Sequence, residues 1–154
     1  MRRLAICTLG VLAVWCTLAP AAGAEKPTRE FIPAPDFVIE ESCSFDVGVH
    51  VVANKEYGIT FSNGATLVTG ALKFTLTNLD NRSKSITLNI PGPGLFTFTS
   101  DGALTIDAHG PWLFYFSGVL LYSTGHSHLN VSAAGVFSLS QQGGTSTDLC
   151  AVLR

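Results

Sequence analysis

The stretch LKFTLTNLDNRSKSITLNI, residues 72–90, decides the fold class of this chain. Apolar and polar residues alternate on both sides of a turn-forming segment, residues 80–83. Alternation with a period of two is typical of a β-strand that buries one face and exposes the other. The stretch therefore predicts two strands separated by a turn.

The same period recurs along the chain, for example in residues 45–51 and 104–108. Turn signals separate these runs, among them Asn63-Gly64, which tolerates the positive φ of a type I′ hairpin turn, and the Pro-Gly-Pro-Gly corner at residues 91–94. No long window carries a helical stripe. We therefore predict an all-β fold, an antiparallel meander of about nine short strands that forms a sandwich or a closed barrel.

Residues 1–24 have the pattern of a secretory signal peptide. Arg2 and Arg3 precede an uncharged apolar run, residues 4–18, and Ala22-Gly23-Ala24 supplies the small residues of a cleavage site. The apolar run is shorter than the ~20 residues that a bilayer-spanning helix needs. We predict a secreted, extracytoplasmic protein with no transmembrane segment.

Residues 25–42 are predicted to form a Pro-rich N-terminal arm ahead of a single β domain, residues 43–154. Three prolines in this short segment disfavour helix and favour extended chain: Pro27, Pro33 and Pro35. Its apolar residues could hold the later part of the arm against the domain. A flexible leader up to Pro35 is the alternative.

Cys43 and Cys150 lie at the two ends of the predicted β domain, whereas Cys7 and Cys16 fall within the predicted signal peptide. Export to an oxidising compartment favours disulfide formation. We therefore predict a disulfide between Cys43 and Cys150, with Cα atoms about 4.4–6.8 Å apart. Such a bond would bring the first strand of the domain beside the last.

The charge pattern excludes some classes of partner. The chain has 9 basic and 11 acidic residues, a formal net charge of −2, and no cluster of Lys or Arg. Nucleic acids and anionic membrane surfaces are therefore not expected as partners. The sequence has no G-x-S-x-G motif and no Gly-rich loop that leads into a helix. We predict no catalytic residue and no cofactor, and we favour a non-enzymatic protein while leaving enzymatic activity open.

The segment Trp112-Leu113-Phe114-Tyr115-Phe116 is apolar on both faces of a predicted strand. Trp112, Phe114 and Phe116 share one side of that strand. One interpretation is a strand covered on both sides, for instance by the N-terminal arm. The other is an exposed aromatic face that binds a ligand, a glycan or another subunit, with these three residues as the candidate binding face.

His126 and His128 are the candidate metal ligands. Residues two apart on a strand point to the same side, so both imidazoles could reach one metal ion. His50 or His109 could supply a third ligand, and Asp107 lies two residues before His109 on the same face. A polar surface pair is the alternative interpretation.

Several short motifs resemble a family of small uncharacterised secreted proteins of actinobacteria. The resemblance covers residues 43–153 and rests mainly on turns and core positions. The motifs include CSFDV at 43–47, TNLD at 77–80, GPG at 92–94, GPWL at 110–113 and DLCA at 148–151. It implies export from a bacterium and a pair of cysteines near the domain ends, and it implies no mechanism.

Three functional hypotheses follow. The first is a secreted, non-enzymatic β domain with a binding or structural role at the cell envelope, whose partner is a protein, a glycan or a small apolar ligand. The alternative is a carrier of a small apolar ligand with a barrel interior, which requires a cavity of several hundred Å³. The third is a hydrolase or metalloenzyme that uses His126 and His128.

Overall fold

The computed structural model describes residues 26–154, so the predicted signal peptide lies outside the described residues. The described chain forms fourteen strands and one short helix. They are β1 (Thr28–Phe31), β2 (Phe37–Ile39), β3 (Val47–Asn54), β4 (Tyr57–Thr60), β5 (Thr66–Thr69), β6 (Leu72–Asn78), β7 (Ser85–Ile90), β8 (Gly94–Phe98), β9 (Leu104–His109), β10 (Trp112–Phe116), β11 (Val119–Ser123), β12 (His126–Val131), β13 (Phe137–Gln142), β14 (Ser146–Asp148) and α1 (Leu149–Leu153). No helix in this part of the chain is long and apolar enough to cross a membrane.

The strands form three antiparallel sheets. The large sheet has the order β1-β4-β5-β8-β9-β12-β13, the four-stranded sheet β2-β3-β6-β7, and the small sheet β10-β11-β14. The predicted all-β antiparallel fold is confirmed. Each order ends in two edge strands, so the sheets are not closed and the arrangement fits a sandwich better than a barrel. The predicted number of about nine strands is too low, because strands such as β2 and β14 have only three residues and show no alternation.

The sequence stretch that predicted the fold class forms the hairpin β6–β7. Leu72 pairs with Ile90, Phe74 with Leu88 and Leu76 with Ile86. One polar side chain organises the turn: Asn78 Oδ1 accepts hydrogen bonds from the backbone N–H groups of Asp80 and Asn81, at 2.8 and 3.1 Å. Asn78 Nδ2 donates to the carbonyl oxygen of Leu153 at 3.0 Å, which connects the hairpin to the C-terminal helix.

The small sheet lies between two apolar clusters. On one face, Phe114 packs with Ile106 and Leu129 of the large sheet and is only 4% exposed. On the other face, Leu113 and Leu120 belong to the cluster of the four-stranded sheet. Strand β10 is therefore an edge strand that is nevertheless covered on both faces, which explains why its sequence does not alternate.

The apolar cluster of the four-stranded sheet, which α1 also joins, closes one end of the sandwich. Its members from the sheets and from α1 are almost fully buried: Ile39, Val47, Val49, Phe74, Leu76, Leu120, Leu149 and Leu153. Asp148 caps α1 by accepting hydrogen bonds from the N–H groups of Cys150 and Ala151, at 2.9 and 3.3 Å. We call this region the packed end.

The predicted disulfide is confirmed. Cys43 and Cys150 are bonded, and their Cα atoms are 5.5 Å apart. The bond joins α1 to the segment that precedes β3. It does not place a first strand beside a last one, because β3 belongs to the four-stranded sheet and β14 to the small sheet.

The segment predicted as an N-terminal arm contributes strands to two sheets. Strand β1 pairs with β4 in the large sheet, and β2 pairs with β3 in the four-stranded sheet. Residues 32–36, which we call the connector, cross from one sheet to the other. The backbone of this segment is therefore paired with the domain from Thr28 onward, while the side chains of Phe31 and Val38 stay exposed.

Candidate functional site

A cavity of about 390 Å³ lies at the end of the sandwich where the connector crosses. All three sheets contribute to its wall: Val51, Leu72 and Phe74 come from the four-stranded sheet, Val68 and Phe96 from the large sheet, and Trp112, Leu113 and Tyr115 from the small sheet. The volume falls within the range of about 300–1,000 Å³ that is usual for small-ligand pockets. We call this region the open end.

The connector forms one side of the cavity through Ile32, Pro33, Ala34 and Pro35. A proline has no backbone N–H, so two of these four residues present no donor to the cavity. The fixed φ of each proline also favours the extended course that the connector needs to span the two sheets. The connector therefore supplies an apolar wall made of short side chains.

Hydrogen bonds hold the first end of the connector. Asn54 Nδ2 donates to the carbonyl oxygen of Ile32 at 2.7 Å, and the N–H of Ile32 donates to the carbonyl oxygen of Glu56 at 3.1 Å. Asn54 Oδ1 also accepts from the N–H of Glu56 at 2.9 Å. One asparagine side chain thus fixes the connector and the turn that carries Glu56.

Asp36 holds the other end. Its Oδ1 accepts a hydrogen bond from the N–H of Val51 at 2.7 Å, and its Oδ2 lies 2.8 Å from Nδ1 of His50. Both hydrogen bonds lower the pKa of Asp36, and the one with His50 has the larger effect. Val51 itself lines the cavity, so the contact ties the connector to the cavity wall.

Trp112 is the predicted binding residue that reaches the cavity. Its Nε1 donates to the carbonyl oxygen of Pro93 at 3.3 Å, and its ring centroid lies 6.0 Å from that of Phe96. A Cβ atom at Gly94 would overlap the six-membered ring of Trp112, so the indole depends on a glycine at this position. The indole is thus held against Gly94, and it also lines the cavity.

The other two residues of the candidate aromatic face lie elsewhere. Phe114 is buried against the large sheet, and Phe116 packs on Phe137 with ring centroids 3.9 Å apart. The face therefore points into the sandwich, and of the three residues Trp112 alone lines the cavity at the open end.

Glu56 is the acidic residue of the cavity wall. Burial raises the pKa of its carboxyl, and neither a hydrogen bond nor a neighbouring charge contributes to that shift. Sequence reasoning missed this residue, because acids in turns are usually solvated. No strand pattern marks it either, because Glu56 lies in the link between β3 and β4 and belongs to neither strand.

The predicted metal ligands His126 and His128 lie on one face of the same strand. His126 and His128 share the outer face of the large sheet, and in the neighbouring strand β9 they pair with His109 and Asp107, respectively. Asp107 Oδ1 lies 2.6 Å from His128 Nδ1 and 3.4 Å from His126 Nε2. His50 lies in the four-stranded sheet and does not join them.

These side chains meet at Asp107 and do not surround a common metal position. The rings of His109 and His126 stack face to face, with ring centroids 4.3 Å apart and an interplanar angle of 5°. Between residues 26 and 154, no three His, Cys, Asp or Glu side chains form a group that could hold a metal ion. The hydrogen bond between Asp107 and His128 instead lowers the pKa of the carboxyl and raises the pKa of the imidazole.

Comparisons with known proteins add no relative. No protein-family model matches the chain, no curated protein matches it significantly, and no solved structure does so either. The resemblance to small secreted proteins of actinobacteria therefore stays a prediction. The function is therefore inferred from the geometry of the cavity.

Proposed function

We propose that this protein is a non-enzymatic binding protein that takes up one small apolar molecule in the cavity at its open end. The supporting observation is the 390 Å³ volume between the sheets, which apolar side chains line almost throughout. This is the carrier hypothesis with one change, since the ligand would lie inside an open sandwich rather than a barrel. We also propose that the protein works outside the cytoplasm, where its disulfide is stable.

Binding in the cavity is favoured by the transfer of the ligand's apolar surface out of water. Each CH₂ group that leaves water for an apolar site gains about 0.8 kcal/mol. The walls are held apart by the connector, which is hydrogen-bonded at both ends, and by Trp112, which is fixed against Gly94. Because the walls are held, the ligand does not have to open a closed core, and most of the transfer free energy contributes to binding.

The neutral fluorescent probe N-phenyl-1-naphthylamine tests the proposal. The Trp15→Phe chain is used as the parent, because Trp112 is then the only tryptophan and reports on the cavity wall. We expect saturable binding of one probe per chain, with a change in Trp112 fluorescence.

A matched pair of substitutions on adjacent residues places the probe. Val51 lines the cavity, whereas Val52 is exposed beside it. We expect Val51→Phe to weaken probe binding at least tenfold by filling the cavity and Val52→Phe to leave it within twofold. Equal binding by the two variants, or no binding by the parent, would overturn the proposed function.

A further inference from the structure

Charge is distributed unevenly over the cavity wall. Of the side chains between residues 26 and 154 that line the cavity, those of Glu56 and Tyr115 alone can ionise, and Tyr115 is half exposed. The remaining lining residues are aliphatic, aromatic or proline. Any polar group of a bound molecule that lies deep in the cavity therefore has Glu56 as its main ionisable neighbour.

The position of Glu56 is fixed by its own backbone. Its N–H donates to Asn54 Oδ1 at 2.9 Å and its carbonyl oxygen accepts from Ile32 at 3.1 Å. The backbone is thus held on both sides, while among residues 26–154 no charged group contributes to the pKa shift of the carboxyl. A carboxyl in this position is costly to bury without a counter-charge.

An entering ligand changes that cost. A neutral molecule removes further water from Glu56 and gives nothing in return, so part of the apolar gain is lost. A molecule with an ammonium group replaces the lost water with a charge-assisted hydrogen bond. A carboxylate ligand would instead bring a like charge beside the carboxyl of Glu56.

The aromatic content of the wall favours the same sign of charge. Five lining residues are aromatic, namely Phe37, Phe74, Phe96, Trp112 and Tyr115. The face of an aromatic ring carries negative charge density and attracts cations, most strongly when the site is desolvated. A carboxylate and several aromatic rings around one apolar volume therefore suit an organic cation.

We propose that the ligand is an apolar amine, whose protonated nitrogen pairs with Glu56 and whose hydrocarbon body occupies the space lined by Val51, Val68 and Trp112. This inference rests on the proposed function and specifies the chemical class of its ligand. The nitrogen donates to the carboxylate of Glu56, and no covalent step is involved.

Three probes of equal chain length test the head group: n-octylamine, n-octanol and n-octanoate at neutral pH. Each displaces N-phenyl-1-naphthylamine from the Trp15→Phe chain. We expect octylamine to bind at least tenfold more tightly than octanol, and octanoate to bind more weakly than octanol. A tighter affinity for octanoate, or equal affinities for all three, would overturn the inference.

Glu56→Gln identifies the group responsible, because it keeps the side-chain size and removes the charge. We expect octylamine to bind this variant within threefold of octanol, while octanol binds it at least as tightly as it binds the parent. Glu40→Gln changes an exposed glutamate outside the cavity wall and should keep the full preference for the amine. A preference that persists in Glu56→Gln would also overturn the inference.

The two proposals fail in different ways. If octanol and the fluorescent probe bind and Val51→Phe removes that binding, the proposed function stands whatever the head-group series shows. If no probe binds to the parent, the proposed function itself is wrong. Octanol binding by Glu56→Gln also shows that this variant is folded, so a lost amine preference is not the result of misfolding.

Discussion

The two ends of the sandwich are built on the same strands and differ in what fills them. On β3, Val47 at the packed end is fully buried, whereas Val51 at the open end lines the cavity. On β6, Leu76 is fully buried and Leu72 lines the cavity. Strand β6 alternates along its whole length, and β3 alternates as far as Val51, where its register against β6 shifts. The alternation therefore does not by itself determine whether the inner face meets a solid core or a cavity.

Segments far away in the sequence make the difference. At the packed end, α1 inserts Leu149 and Leu153, both 1% exposed, into the cluster. At the open end the connector offers Ile32 and the short side chains of Pro33, Ala34 and Pro35. The large side chains of α1 fill one end of the stacked sheets and close the core there. The mostly small side chains of the connector leave a cavity at the other end.

The largest effect is expected from the disulfide at the packed end. The bond spans 107 residues, and in the chain-entropy model a loop of this size stabilises the fold by about 4–5 kcal/mol. We expect Cys43→Ser/Cys150→Ser to lower the free energy of unfolding in urea by about that amount, while probe affinity at the open end changes less than threefold under native conditions. A loss below about 1 kcal/mol would contradict the role given to this bond.

A matched pair of leucines on β6 tests the comparison directly. Leu76→Ala should cost about 2–5 kcal/mol of unfolding free energy, because it leaves a void in a close-packed cluster. Leu72→Ala should cost about 1–2 kcal/mol, since Leu72 already borders open space. Urea unfolding measures both losses. Equal losses would show that the open end is as tightly packed as the other.

Binding should respond in the opposite order. We expect Leu72→Ala to alter the affinity for N-phenyl-1-naphthylamine and Leu76→Ala to leave it unchanged in the folded fraction. A change at Leu76 alone would move the binding site away from the open end.

The sequence predicted the parts of this comparison that depend on local pattern. The β6–β7 hairpin follows from alternation around a turn, and the disulfide follows from Cys43 and Cys150 being the two cysteines outside the predicted signal peptide. The same-face placement of His126 and His128 follows from their spacing of two. In each case, a short-range rule or a simple count was sufficient.

The cavity has no such signal. Its wall combines residues 32–35, Val51, Val68 and Trp112, which lie far apart in the chain and meet only after the sheets have stacked. The prolines predicted an extended segment, yet nothing in the sequence placed that segment over a gap. Glu56 looked like a solvated turn residue, because burial depends on the connector that crosses beside it.

The pH dependence of stability provides a smaller test at the open end. Burial raises the pKa of Glu56 above its usual value of 4.5, so the folded state binds this proton more tightly than the unfolded state. The carboxyl is therefore least costly at low pH, and folding stability falls as pH rises from 4.5 through the pKa of the folded state.

We expect Glu56→Gln to remove this decline. The variant should be more stable than the parent at pH 7 and equal to it below the pKa of the unfolded state, with a difference smaller than that caused by Leu72→Ala. Urea unfolding at several pH values measures it. A variant that is less stable than the parent at pH 7 would show that Glu56 has a stabilising partner within the protein.

The smallest effect is expected on the outer face of the large sheet, which belongs to neither end. The Asp107–His128 pair is 2.6 Å apart and its side chains are 40% and 38% exposed, so solvent screening limits it to about 0.2–1 kcal/mol. The pKa of Asp107 is lowered from 3.8 and that of His128 is raised from 6.5. The contribution is lost as pH falls through the pKa of folded Asp107 and as it rises through that of folded His128, so it is largest between about 4 and 6.5.

A double-mutant cycle with Asp107→Asn and His128→Gln measures this contribution. We expect a coupling energy of about 0.5 kcal/mol at pH 5.5 that disappears by pH 9, with no change in probe binding at either pH. Coupling that persists at pH 9 would mean that the two side chains interact without the imidazolium charge. Coupling to probe binding would mean that the outer face and the open end act together, which would break the separation of the cavity from the rest of the surface.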